Sequence, residues 1–170
     1  MAAAAKHTIV ALVTDRPGVL NRMASLFRRR GFNIDSIAVG HSETAHLSRM
    51  TIVVDGSTTQ VEQVRKQVEK IIDVIKVVDI SEQDIIIREL ALIKVKTTRE
   101  NRSEVMQIVD VFRAKIVDVA SDSLTVEVTG DEDKVNSLYN LLRSFGIKEM
   151  TRTGRIAMTR GGAQSDKSEV

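Results

Sequence analysis

The residues best suited to binding chemistry lie in one short segment, residues 15–20 (DRPGVL). This segment follows an apolar run and precedes a helical pattern. The first N–H groups of a helix lack helical partners and carry partial positive charge, which suits a carboxylate or phosphate. Gly18 would let a ligand approach the backbone closely, and Asn33, just after Gly31, can both donate and accept hydrogen bonds. From these residues alone, a ligand site and an ordinary structural helix start both remain open.

Patterns of catalytic or metal-binding residues are absent from the sequence. The three histidines, His7, His41 and His46, form no His-x-x-x-His or similar metal pattern, and there is no cysteine. No nucleophile elbow, phosphate-binding loop or dinucleotide fingerprint is present. Most carboxylates alternate with Lys and Arg, as on a solvated surface. We therefore expect no catalytic residue, no metal and no cofactor in this chain.

Composition indicates a protein that is not specialised for nucleic acid or membrane. The 170 residues are 42% hydrophobic but only 3% aromatic, and the net charge is +2. The one tight basic run, residues 28–30, is interpreted as a solvated helix end, because nucleic-acid sites usually pair such clusters with aromatic residues. Neither a signal-peptide core nor a membrane-length apolar stretch occurs. A cytoplasmic location is expected.

Apolar periodicity predicts the elements that position the segment at 15–20. The predicted strands are residues 7–14, 32–40 (whose imperfect alternation allows a bulge), 49–54, 74–80, 85–97, 115–120, 124–129 and 147–158. The predicted helices carry the stripes Val19, Leu20, Met23, Leu26 and Phe27; Val61, Val64, Val68, Ile71 and Ile72; Val105, Ile108, Val109 and Phe112; and Val135, Leu138, Leu142 and Phe145. Pro17 is expected at the first helical position, and Asp131 is expected to cap the last helix.

This order predicts an α+β fold of two ferredoxin-like βαββαβ domains, each an antiparallel sheet with two helices on one face. The predicted boundaries are 6–80, a linker at 81–84, 85–158, and a disordered tail at 159–170. Each unit of ~75 residues is small for an independent core and leaves one sheet face bare. Association through sheet edges or faces is therefore expected.

Specific segments also resemble a known family. DRPGVLNRMASLF, RRRGFNIDSIAVG and SRMTIVVDG together resemble the ACT domain, a small-molecule regulatory module of amino acid metabolism. IIDVIKVVDI, RELALIKV, FRAKIVDVASDSLTVEVTG and LLRSFGIKEMTRTGRIAMTRG resemble the small regulatory subunits of acetolactate synthase. The resemblance covers residues 6–161, and its second half is the more specific part, since ACT domains of other enzymes lack it.

The resemblance implies an N-terminal ACT domain, a second ferredoxin-like domain, and a homodimer in which ACT sheets join edge to edge. It implies no catalysis by this chain alone. The partner would be a catalytic large subunit that holds thiamine diphosphate, magnesium and FAD and converts two pyruvate molecules to 2-acetolactate and CO2. The small subunit would activate it and confer feedback inhibition by valine, or by leucine or isoleucine, in branched-chain amino acid biosynthesis. Neither nucleic acid nor membrane is an implied partner.

The same resemblance places the effector site at the ACT dimer interface. The matching residues here are Asp15, Gly18, Val19, Leu20, Asn33 and Ile34. Relatives commonly have Asn at the position of Asp15 and an acid at that of Arg16. An acid at position 15 could pair directly with a ligand ammonium group, while Arg16 adds a positive charge nearby.

Two other classes of protein fit parts of the sequence. A free-standing ACT-type sensor would not need the second half of the chain. An enzyme on a ferredoxin-like scaffold would need convergent titratable groups, which the sequence does not provide. Fold alone cannot separate these classes, whereas co-purification with a thiamine-dependent partner would.

Overall fold

The computed structural model describes residues 6–56 and 58–161. They form two compact units. Unit 1 comprises the described residues up to Ile86 together with those from Arg155 onward, and unit 2 comprises Ile87–Gly154. Each unit contains four antiparallel strands and two helices in βαββαβ order, and unit 1 also includes a short strand near the end of the described chain. The predicted α+β class with two such patterns is therefore confirmed.

Unit 1 contains the segment that the sequence analysis singled out. Its elements are β1 (Lys6–Thr14), α1 (Val19–Arg29), β2 (Ile34–His41), β3 (Leu47–Asp55), α2 (Thr58–Val68) and β4 (Val74–Asp79). The strands lie in the order β2-β3-β1-β4, so β2 and β4 are the edges. The pairing of β2 with β3 shifts register between Ile34 and Ser36, which is the bulge that the sequence allowed.

The core of unit 1 is aliphatic and lies between the sheet and both helices. Alternate residues of β1, among them Ile9 and Val13, are buried on one face of the sheet. Met23 and Phe27 of α1 and Val64 of α2 belong to the same buried cluster. Since β-strand side chains alternate between faces, this shared cluster places both helices on one side, as predicted.

Two predicted helix boundaries in unit 1 are wrong. Pro17 is not helical, because α1 begins only at Val19, after Gly18 takes a left-handed conformation. Ile71 and Ile72 follow α2, which ends at Val68, and Ile72 is 88% exposed. Their spacing continued the helical stripe in sequence, but the chain there turns toward β4. Gly31 ends α1 as predicted, with a φ of 70°.

Unit 2 repeats the arrangement. Its elements are β5 (Ile85–Lys96), α3 (Arg102–Val111), β6 (Lys115–Val119), β7 (Ser123–Gly130), α4 (Glu132–Leu142), a 3-10 turn (Arg143–Phe145) and β8 (Ile147–Arg152), with strand order β6-β7-β5-β8. Its aliphatic core includes Ile93, Val109, Val126 and Leu138. Asp131 caps α4 as predicted, since its carboxylate accepts from the Lys134 N–H at 2.9 Å.

The end of the described chain departs from the sequence prediction. The single predicted strand at 147–158 is two strands, β8 and β9 (Ile156–Thr159), separated at Gly154, which has a φ of 81°. From Arg155 onward the chain groups with unit 1 rather than with the predicted domain 85–158. The contacts explain this grouping, because the Arg155 guanidinium donates to Thr8 Oγ1 at 3.2 Å.

The last described strand, β9, belongs to unit 1. Beyond it, the Arg160 N–H donates to the Asp84 carbonyl at 2.9 Å. Thr159, where the predicted tail begins, is the last residue of β9. The remainder of that tail, 162–170, lies outside the described residues, as does the alanine-rich start, 1–5.

Candidate functional site

The segment between β1 and α1 has the geometry of an anion site. Gly18 has φ 87° and ψ −8°, and the first helical bond runs from the Arg22 N–H to the Gly18 carbonyl at 3.0 Å. The N–H groups of Val19 and Leu20 precede that bond, so they have no helical acceptor. Gly18 supplies no capping side chain, and the first turn of α1 has no acidic residue. The positive end of the helix dipole is therefore available to an anionic ligand.

A buried carboxylate holds this segment in place. The Thr14 N–H donates to the Asp73 carbonyl at 2.8 Å, and the Thr14 hydroxyl donates to Asp73 Oδ1 at 3.2 Å. The Arg22 guanidinium forms an ion pair with the same carboxylate. Asp73 thus links the end of β1 to the first turn of α1. Sequence reasoning missed this role, and a lone acid between Ile72 and Val74 was the only signal for it.

Asp15 is held by two residues from the connection between β2 and β3 and the end of β2. Its N–H donates to the carbonyl of His46, which has a φ of 64°, at 2.8 Å. Its carboxylate Oδ2 lies 3.4 Å from Nδ1 of His41, the last residue of β2. The predicted strand ended at Gly40, one residue before His41, so the sequence analysis missed this pairing across the end of the sheet. Asp15 remains half-exposed and can still meet a ligand.

The two apolar candidates beside Gly18 differ in exposure. Val19 is buried in the core of unit 1, whereas the Leu20 side chain is 49% exposed. Val19 can therefore offer its backbone N–H, but its side chain already packs inside the protein. Leu20 is the residue of this pair that can cover an aliphatic ligand.

Asn33 and Ile34 lie at the other end of the same sheet. Ile34 pairs with Val54, which pairs in turn with His7 near the start of β1. The segment at Asp15–Leu20 follows Thr14 at the opposite end of β1. The seven residue-to-residue steps from His7 to Thr14 span about 24 Å at ~3.4 Å per step. One chain does not bring the six predicted residues together.

Metal binding and membrane spanning were also considered for the described part of the chain. No group of three or more His, Asp or Glu side chains there is arranged to hold a metal ion. None of the described helices is long and apolar enough to cross a membrane.

Sequence comparisons with known proteins match both halves of the chain to small subunits of acetolactate synthase. A family model described as the AHAS small subunit-like ACT domain matches residues 9–76, and one described as the small subunit of acetolactate synthase matches residues 88–161. The chain is 56% identical over 156 residues to the probable acetolactate synthase small subunit of Archaeoglobus fulgidus, covering 92% of this chain and 98% of that one. It is 49% identical over 164 residues to the acetolactate synthase small subunit of Bacillus subtilis, covering 96% and 95%.

A solved structure agrees with these sequence matches. The crystal structure of the acetolactate synthase small subunit from Thermotoga maritima superimposes with a TM-score of 0.85 at 43% identity. The match covers 92% of this chain and 98% of that chain, so both units and their order are shared.

Proposed function

The chain belongs to the acetolactate synthase small-subunit family, and from that premise we propose that it binds and activates the catalytic large subunit and makes it sensitive to valine or a related branched-chain amino acid. It is the regulatory, non-catalytic subunit of that enzyme. The catalytic partner would hold thiamine diphosphate, magnesium and FAD and carry out the conversion of two pyruvate molecules to 2-acetolactate and CO2. The observation that carries this proposal is the match to whole small subunits at 49–56% identity.

The effector site of this proposal needs two protomers. Strand β2 is an edge of its sheet, and no described strand pairs with its outer side. Antiparallel pairing of two β2 strands about their midpoint would set Ile34 of one protomer opposite His41 of the other. His41 contacts Asp15. Such a dimer would therefore carry Asn33 of one protomer to the segment at Asp15–Leu20 of the other.

In this arrangement each end of an amino acid meets suitable chemistry. The ligand carboxylate lies against the N–H groups of Gly18, Val19 and Leu20. The ammonium group lies between Asp15 and the Asn33 side-chain carbonyl of the second protomer. The aliphatic side chain contacts Leu20 and Ile34, since the Val19 side chain is buried.

A reconstitution experiment tests the proposal. The purified chain alone should make no 2-acetolactate from pyruvate, and the catalytic subunit from the same organism should become faster when the chain is added. Valine should then lower the rate of the mixture but not that of the catalytic subunit alone. Acetolactate formation by the chain alone, or a catalytic subunit indifferent to its presence, would refute it.

A further inference from the structure

We propose that the groove between α1 and the turn after α2 is a docking site for the catalytic subunit, and that it receives an acidic segment of that protein together with an apolar side chain. This inference rests on the proposed function. The groove has a volume of about 590 Å³ and is lined by Asn21, Arg22, Ser25, Arg28, Arg29, Ile71 and Ile72. All of these residues belong to unit 1.

The charge of the groove points to an anionic occupant. Arg22 is neutralised by Asp73, but neither Arg28 nor Arg29 forms an ion pair with another described residue. Both are exposed in the last turn of α1. Arginine at a helix C-terminus is favourable by itself, but Arg30 could serve that purpose equally well. Each of these guanidinium groups presents a planar fork of N–H donors that matches a carboxylate.

The apolar part of the groove points to a protein rather than a free ion. Ile72 is 88% exposed, beside the two arginines, while Ile71 packs partly against the core of unit 1. The Ile72 side chain gains nothing from burial within this chain, whereas a partner that covers it would gain the free energy of burying an apolar side chain. Arginine beside an apolar anchor is typical of protein interfaces, whose cores are depleted of other charged residues.

The groove is separate from the proposed effector site. At 3.6 residues per turn, Leu20 lies ~100° from the buried Val19 in one direction around α1, whereas Arg22 and Arg29 lie ~60–80° from it in the other. The two surfaces therefore flank the buried stripe of α1 on opposite sides. A change in the groove can weaken docking without touching a residue that contacts the effector.

A matched pair of variants tests the groove, Arg29→Glu against Arg30→Glu. Both place a negative charge in or just after the last turn of α1, but only Arg29 lines the groove. The purified catalytic subunit is titrated with each full-length chain, and the concentration for half-maximal activation is measured. Arg29→Glu should raise this half-maximal concentration about tenfold or more. Arg30→Glu should raise it by less than about twofold. Ile72→Ser should raise it severalfold through lost apolar contact.

Further measurements test whether the effect of Arg29→Glu comes from the groove. Valine binding by calorimetry should be unchanged in Arg29→Glu, which verifies its fold, and Arg29→Gln serves as a milder variant. Added NaCl should weaken docking of the unaltered chain more than that of Arg29→Glu. Equal docking by Arg29→Glu and Arg30→Glu would overturn the groove assignment while leaving the regulatory function intact, and so would loss of self-association in Arg29→Glu. If the unaltered chain neither binds nor activates the catalytic subunit, the proposed function itself fails.

Discussion

Substitution of Gly18 by Asp, compared with Asn, is expected to separate backbone strain from charge at the proposed effector site. Gly18 has φ 87°, a conformation in which most L-residues cost about 1–2 kcal/mol. Asn and Asp tolerate it best and are nearly the same size. A Cβ added at Gly18 would meet nothing within 4 Å, so the first side-chain atom of either variant has room. Both should therefore lose a similar, small part of the free energy of unfolding.

Only the aspartate brings a negative charge to the helix N-terminus where the valine carboxylate is proposed to lie. Two like charges ~4 Å apart repel by about 4 kcal/mol at an effective dielectric near 20. The position is exposed, so solvent and salt reduce this repulsion. If a third of it survives, valine binds about tenfold more weakly to Gly18→Asp than to Gly18→Asn. The new carboxylate would also compete for the N–H groups of Val19 and Leu20.

Calorimetry with valine on both variants, alongside thermal melts and activation of the catalytic subunit, checks this reasoning. The expected phenotype of Gly18→Asp is an activated enzyme that resists feedback inhibition. Equal valine affinity in the Asp and Asn variants would show that no ligand carboxylate lies at this helix start. Failure of both variants to activate would instead mean that the segment is needed to hold the docking surface.

Three further outcomes are expected. Asn33→Ala should weaken valine binding by about 1–3 kcal/mol with little effect on folding, by calorimetry and thermal melts, since Asn33 is exposed. Val39→Lys, on the exposed edge of the sheet, should shift sedimentation from dimer to monomer and abolish valine binding; a valine-binding monomer would rule out a shared site. Hydrogen bonds from Arg65 lower the pKa of Glu62 from 4.5 to about 2, so the pair contributes stability above pH ~4.5 and loses it as pH falls toward 2. Carboxyl NMR should show this low pKa, and Arg65→Gln should return it toward its ordinary value.

The sequence was a good guide to the elements because their signals are local. Alternation in β1 and the stripe of α1 follow from burying one face of each, and Gly31 ends α1 because the chain needs a left-handed residue there. The same local logic failed after Val68. The spacing of Ile71 and Ile72 continued a helical stripe, but the turn to β4 leaves one partly packed and the other exposed.

The candidate site was predicted only in part. Gly18 and the unpartnered N–H groups after it were expected from the Pro-Gly segment, because a helix start is visible in sequence. The support from Asp73 and the contact of His41 with Asp15 were not, since both come from residues distant in sequence. A carboxylate carries no periodic signal that would reveal its partner.

By itself the sequence determined the fold class, the family resemblance and the helix start that can receive an anion. Only the tertiary structure decided which of the candidate site residues lie close together. The strand order β2-β3-β1-β4 sets Asn33 and Gly18 at opposite ends of one sheet and leaves β2 as an open edge. Period and propensity act over a few residues, whereas the order and register of strands depend on how the whole unit packs.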